Sequence, residues 1–276
     1  MTTTSEPDAE AAAPHVAATS GWRVVAEQEC RDMWFSGRGP LLLFAYSLLL
    51  SVMTYLAGTN QVLNFLEQRE AVSLTVQIAV AVGVLVTLVV SADSISGERE
   101  RGTFENLLLS PASRRGIVLG KLLGALSLWF ATFAISFPYL WALGRGVSLV
   151  GTAMAVGLAV GTILAVALAC LGMLISTRSN SNRVSVAVGI FILLALFAPT
   201  QVPAGLPKAW FGDLLTRVNP IGSSLHYMSA VLVRGHSWSQ DLSYLVSPAL
   251  TAVLAGGLLA LRAERFVTLR AERGRA

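Results

Sequence analysis

Val72-Ser73-Leu74-Thr75-Val76-Gln77-Ile78-Ala79-Val80-Ala81-Val82-Gly83-Val84-Leu85-Val86-Thr87-Leu88-Val89-Val90-Ser91-Ala92-Asp93-Ser94-Ile95 meets its first ionisable side chain at Asp93. A run of about 20 apolar residues is what a helix needs to cross a bilayer. Backbone groups in lipid must be satisfied within the segment, which leaves a helix or a closed barrel. No stretch of this chain alternates apolar and polar residues as a barrel strand would. Directly after the run comes Ser96-Gly97-Glu98-Arg99-Glu100-Arg101-Gly102-Thr103-Phe104-Glu105-Asn106-Leu107-Leu108-Leu109-Ser110-Pro111. An apolar span that ends in a dense knot of charge reads as a membrane helix delivering a segment to be gripped at the membrane face.

The rest of the chain repeats the first half of that pattern. Charged residues make up 13% of it and apolar residues 54%, with a mean hydropathy of +0.64; soluble chains carry about 25% charge. Six runs can span: Pro40–Gly58, Val72–Ile95, Ile117–Leu143, Val150–Ser176, Val184–Thr200 and Leu242–Leu261. The predicted fold is an all-α polytopic membrane protein. Residues 1–20 read as a disordered cytoplasmic tail, 21–38 as an interfacial amphipathic helix, 39–265 as the six-helix transmembrane domain and 266–276 as a basic cytoplasmic tail.

Of the 20 Lys and Arg residues, only Arg69, Arg145, Lys208, Arg217 and Arg234 fall on one side of such a bundle. The basic side, which holds both termini, is predicted to be cytoplasmic. The basic residues flank spans rather than interleaving with aromatics on one surface, so a nucleic-acid partner is not expected. Cys30 and Cys170 fall in different environments and predict no disulfide.

Trp22, Val25, Ala26, Cys30, Met33 and Trp34 recur at helical spacing, opposite Arg23, Glu27, Gln28, Arg31 and Asp32. Such a helix suits the interface plane before the first span, or the cytoplasmic end of the bundle. Thr103 can cap a short helix that carries Glu105 in its first turn and Phe104, Leu107 and Leu108 on one face. Acidic residues match an anionic leaflet poorly, so a protein partner is the better occupant of that helix. Thr177–Arg183, between the fourth and fifth spans, offers a second contact. Gln201–Asp241 predicts one or two short helices dipping into the outer leaflet, divided at Asn219-Pro220. His226, Met228 and His236 lack any metal-site spacing, and no metal is assigned.

Gly116 to Leu122 resembles a phosphate-binding loop but has three residues between glycines and no Ser or Thr after Lys121. Asp93 and Lys121 sit at span ends, where snorkelling accounts for them. The deep polar groups, Thr54, Gln77, Ser127, Thr132, Ser136 and Thr162, are neutral. A self-powered carrier needs a charged relay or broken helices at the midplane, so the sequence argues against one. Gly157 and Gly161 form a Gly-x-x-x-Gly step for close helix approach, inside the bundle by default and between subunits otherwise.

Glu98 and Glu100 before Gly102-Thr103, then Glu105, the Leu107–Leu109 run, Ser110-Pro111, Arg114, Arg115 and Gly120-Lys121, resemble the characteristic loop of permease subunits of ABC-2-type ABC transporters. The resemblance extends over nearly the whole chain. It implies an exporter permease of the bacterial inner membrane that is not itself catalytic and binds no cofactor. A separate ATPase subunit with a Walker A motif would bind ATP and magnesium, and a second permease copy or relative would complete the pathway. Thr103–Leu109 would be the coupling helix, with Glu98, Glu100, Thr103, Phe104, Glu105, Leu107 and Leu108 at the ATPase contact and Arg178 to Arg183 as a second coupling loop. Trp210, Phe211, Tyr227 and Met228 would belong to the outward gate. A pathway without mid-depth charge suits amphipathic, lipid-like or drug-like cargo. The alternative is a non-transporting scaffold or assembly subunit, including one for metalloenzyme maturation.

Overall fold

The computed structural model describes residues 21–59, 65–103, 113–145, 148–201 and 210–263. Its helices are α1 (Gly21–Phe35), α2 (Arg38–Thr59), α3 (Phe65–Arg101), α4 (Arg114–Leu143), α5 (Val150–Arg178), α6 (Asn182–Phe197), α7 (Trp210–Val218), α8 (Pro220–Leu232) and α9 (Val246–Ala263). Short 3₁₀ turns at Ala198–Gln201 and Leu242–Leu245 extend α6 and precede α9. Six of the helices are long and apolar enough to cross a membrane, and each overlaps one of the runs read from the sequence.

α3, α4 and α5 form the inner layer, with Val76, Val80, Val84, Leu88, Trp129, Val160 and Leu164 in one continuous core. The crossing is close because glycines face it. A Cβ on Gly157 would stand 2.8 Å from Val76, and one on Gly161 would stand 2.5 Å from the ring of Trp129. A Cβ on Gly83, from α3, would stand 2.8 Å from the same indole. Trp129 is thus wedged between two bare backbone faces, and its Nε1–H donates to Thr162 Oγ1 at 3.1 Å. A buried indole gains full packing only when its single donor is satisfied.

Other deep polar groups are also used locally, whereas Thr54 Oγ1 is buried without a hydrogen-bond partner among the described residues. Thr132 donates to Trp129 O at 2.7 Å and Ser127 to Gly124 O at 2.6 Å. Tyr46 and Ser136 share a short hydrogen bond that ties α2 to α4, and Tyr139 adds bonds to Ser47 and Ser51. α2, α6 and α9 lie at the periphery and turn large apolar side chains outward, among them Phe44, Leu48, Phe191, Leu194, Val253 and Leu254.

α1 packs along the start of α4. Gly120 and Gly124 make this approach possible, because Cβ atoms there would stand 2.7 Å from Val25 and 3.0 Å from Glu29, and Gly116 extends the bare face beneath Trp22. The Val25 face of this amphipathic helix lies against the start of α4. Gly37, at φ +81°, turns the chain from α1 into α2.

α8 corrects one expectation. Asn219 caps it, accepting the N–H groups of Ile221 and Gly222 at 3.0 and 3.3 Å and donating to Leu196 O at 2.6 Å. The helix is not a surface element: Ile221, Tyr227, Met228, Ala230, Val231 and Leu232 are buried against the inner layer. Its small residues Gly222, Ser223 and Ser224 let it sink between longer helices, which a pattern of one apolar face did not reveal. α7 keeps Leu214, Leu215 and Val218 exposed.

Candidate functional site

The residues singled out around Glu98 lie on the basic face of the bundle, where α3 ends. The helix does not stop at Ile95 but runs on to Arg101. Glu and Arg are good helix formers, and at about 1.5 Å per residue the 37-residue helix outruns the ~30 Å hydrocarbon core. Gly102 (φ +73°) then closes it, with Gly102 N–H on Arg99 O and Thr103 N–H on Glu98 O at 3.3 and 3.1 Å. That double reversal is the glycine-terminated helix end known as a Schellman motif. The charged stretch expected as a loop is therefore the last turn of the second span.

Its side chains point in separate directions, and each finds a partner. Glu98 turns inward: its Oε1 accepts from Lys121 Nζ at 2.5 Å, and the same Nζ lies 2.5 Å from Glu29 Oε1 on α1. The Lys121 side chain is only 1% exposed, so it is buried between two carboxylates rather than snorkelling to water. Arg99 donates to Ser179 O at 2.9 Å. Glu100 Oε2 accepts the N–H of Asn182 at 2.9 Å, in the first turn of α6, where an anion suits the helix dipole. Asp93, one turn earlier, sits 3.3 Å from Arg38 and 4.0 Å from Arg101.

Buried hydroxyls complete the joint. Ser176 Oγ accepts from the N–H of Ser96 at 2.8 Å and donates to Ser96 Oγ at 3.1 Å, while Ser185 donates to Ala92 O at 2.7 Å. Gly172 permits this contact, since a Cβ there would lie 2.8 Å from Leu88 O. The end of α3 and the Thr177–Arg183 loop thus form one hydrogen-bonded piece.

Of the expected coupling residues, Glu98 is engaged inside the protein. Glu100, Thr103, Arg178 and Arg183 lie on the exposed side of the joint. Phe104, Glu105, Leu107 and Leu108, with the short helix expected there, lie outside the described residues, as do the two tails. Gly157 and Gly161 pack within the bundle. At the opposite face Trp210 and Phe211 open α7, and their side chains also lie outside the description. Tyr227 and Met228 are buried, and the Tyr227 hydroxyl donates to Trp238 O at 2.9 Å. Burial, with a smaller contribution from the charge of Asp241, pushes the Tyr227 phenol above its ordinary range.

His226 stacks on Tyr244 and bonds Arg234, whereas His236 pairs with Asp241 at 2.6 Å. Among the described residues no three His, Cys, Asp or Glu side chains are placed to hold a metal. Glu29 is the participant the sequence reading missed, while Arg99 and Asn182 lie in the two stretches it named without a role of their own. Glu29 carried a signal, because it falls one turn after Val25 on the face that meets α4.

No curated protein matches the chain. A family model does, over residues 23–263, from α1 to the end of α9, with the description ABC-2 family transporter protein. A match that takes in all six membrane-crossing helices and the joint at the end of α3 places this chain in the ABC-2 transporter family, as a multi-pass membrane component of a transporter.

Proposed function

We propose that the chain is the permease subunit of an ATP-driven exporter in the bacterial inner membrane, with the basic face and both termini in the cytoplasm. Two permeases enclose the pathway, and a separate ATPase subunit, which binds ATP and magnesium, drives them. The observation that carries this reading is the joint between the end of α3 and the Thr177–Arg183 loop. Two cytoplasmic segments far apart in sequence are tied by Arg99, Glu100 and Ser176 into one body that an external motor can push as a unit. The inner helices α3, α4 and α5 run from that body to the opposite face, so a displacement there reaches α8 through packed side chains.

The mid-depth polar groups named from the sequence are neutral, which fits amphipathic, lipid-like or drug-like cargo better than ions. The Glu105→Lys variant tests the reading in inside-out vesicles carrying the ATPase. The expected result is loss of transport with membrane insertion intact and ATP hydrolysis uncoupled. Transport at the unmodified rate contradicts it.

A further inference from the structure

Beside the joint, the end of α5 and the first half of α6 leave an open groove of about 540 Å³. Ile175, Val184, Val188 and Ile192 form its apolar wall. The last three recur every fourth residue, so they share a stripe about 12 Å long on α6. Val184 and Val188 are 53% and 39% exposed, and α6 as a whole buries little of itself in the bundle. On a membrane-crossing helix, lipid chains or another protein cover such a stripe.

The polar end of the groove, at the basic face, favours lipid. Arg178, Asn180 and Ser181 close it with a guanidinium, an amide and a hydroxyl, each able to donate. Among the described residues none of these side chains has a hydrogen-bond or ion-pair partner. Their neighbour Ser179 is already used, its Oγ donating to Ile175 O at 2.9 Å and its carbonyl accepting from Arg99. No carboxylate among the described residues lines the groove. Glu100, which approaches from α3, is held on the N–H of Asn182 at 2.9 Å. Three donors with no acid among them suit an anion, and the guanidinium fork matches the paired oxygens of a phosphate. A free phosphate would use only the polar end, and a zwitterionic head would bring an ammonium with no carboxylate to meet it. An anionic phospholipid uses the donors and the stripe together.

We propose that this groove seats an anionic phospholipid from the leaflet at the basic face. Its phosphate lies on Arg178, Asn180 and Ser181, and one acyl chain runs along Val184, Val188 and Ile192. The lipid then bridges α5 and α6 beside their joint with α3. Arg178 thereby faces lipid, and of the second coupling loop Arg183 is left for an ATPase. The site requires a membrane-crossing chain, not an exporter.

The test uses the full-length chain, delipidated in detergent and titrated with phosphatidylglycerol or phosphatidylcholine, each bound lipid being weighed by native mass spectrometry. The first phosphatidylglycerol is expected to bind about fivefold more tightly than phosphatidylcholine, the weight of one basic residue at an anionic surface. Arg178→Gln and Val188→Trp, both at exposed positions, are each expected to bring that ratio close to one with the melting temperature unchanged. Arg23→Gln, on α1, is expected to keep the preference. A preference that survives in Arg178→Gln overturns the proposal. One lost there but kept in Val188→Trp also overturns it, because the anion then needs no groove. A dimer that binds no lipid until Val188→Trp splits it gives the stripe to a second copy of the chain and overturns the proposal as well. Failure to recover an ATPase with the chain sinks the exporter reading and leaves this result untouched.

Discussion

Lys121 Nζ lies 2.5 Å from Glu98 Oε1, across the gap between α4 and the last turn of α3, and it is almost wholly buried. With Glu29 on α1 it joins three helices through one ammonium group. Removing a single partner from a buried ion cluster leaves uncompensated charge and costs about 3 kcal/mol or more. Lys121→Met is therefore expected to lower the melting temperature in detergent clearly. Combining it with Glu29→Gln and Glu98→Gln is expected to recover at least part of the loss, because no buried charge then remains.

The wedge around Trp129 makes a second prediction. Gly161→Ala would drive a methyl into the indole at 2.5 Å, in a core with nowhere for the ring to go. Overpacking of this kind costs about 1–3 kcal/mol. Gly151→Ala, which meets nothing within 4 Å, gains helix propensity and is expected to be neutral or slightly stabilising. Thermal unfolding of the two variants side by side checks the difference, and a Trp129→Phe change should relieve the Gly161→Ala penalty.

The joint at the end of α3 can be locked. Ser96 Oγ and Ser176 Oγ are 3.1 Å apart and buried, so Ser96→Cys with Ser176→Cys is expected to form a disulfide under mild oxidant. The background lacks Cys30 and Cys170, both free thiols. On the proposed function the two segments move as one body, so the cross-linked protein should keep its transport activity within about twofold. Loss of activity that reductant restores would show that the segments must part during the cycle.

At the opposite face, Tyr227 holds the Val233–Asp241 segment through Trp238 O. Tyr227→Phe removes one net hydrogen bond, about 1 kcal/mol, with the ring left in place. Backbone amides of that segment are expected to exchange several-fold faster, while those of α5 keep their protection.

The spans were legible because hydropathy over twenty residues is a property of local sequence. Val150–Ser176 needed only a two-residue extension to become α5. What stayed hidden depends on partners distant in the chain. The burial of Lys121 is set by Glu29, 92 residues earlier, and no local window contains both. The stripe of Gly116, Gly120 and Gly124 was visible, but its meaning required knowing that α1 lies against it. The second span was cut short at Ile95 because charge ends an apolar window, whereas the helix itself continues until Gly102 supplies a left-handed residue. The burial of α8 escaped for a related reason. A short helix with small residues can enter a bundle without a long apolar run.

On the proposed function, a separate ATPase drives this permease through the end of α3 and the segment that follows it. The most direct measurement is a mild-detergent pull-down of the tagged full-length chain from its native host, assayed for ATP hydrolysis and sequenced for partners. A subunit with a Walker A motif is expected to be recovered, and to be lost with Glu105→Lys while the permease itself is recovered in equal amount. Recovery of the chain alone, or with partners that hydrolyse no ATP, would contradict it.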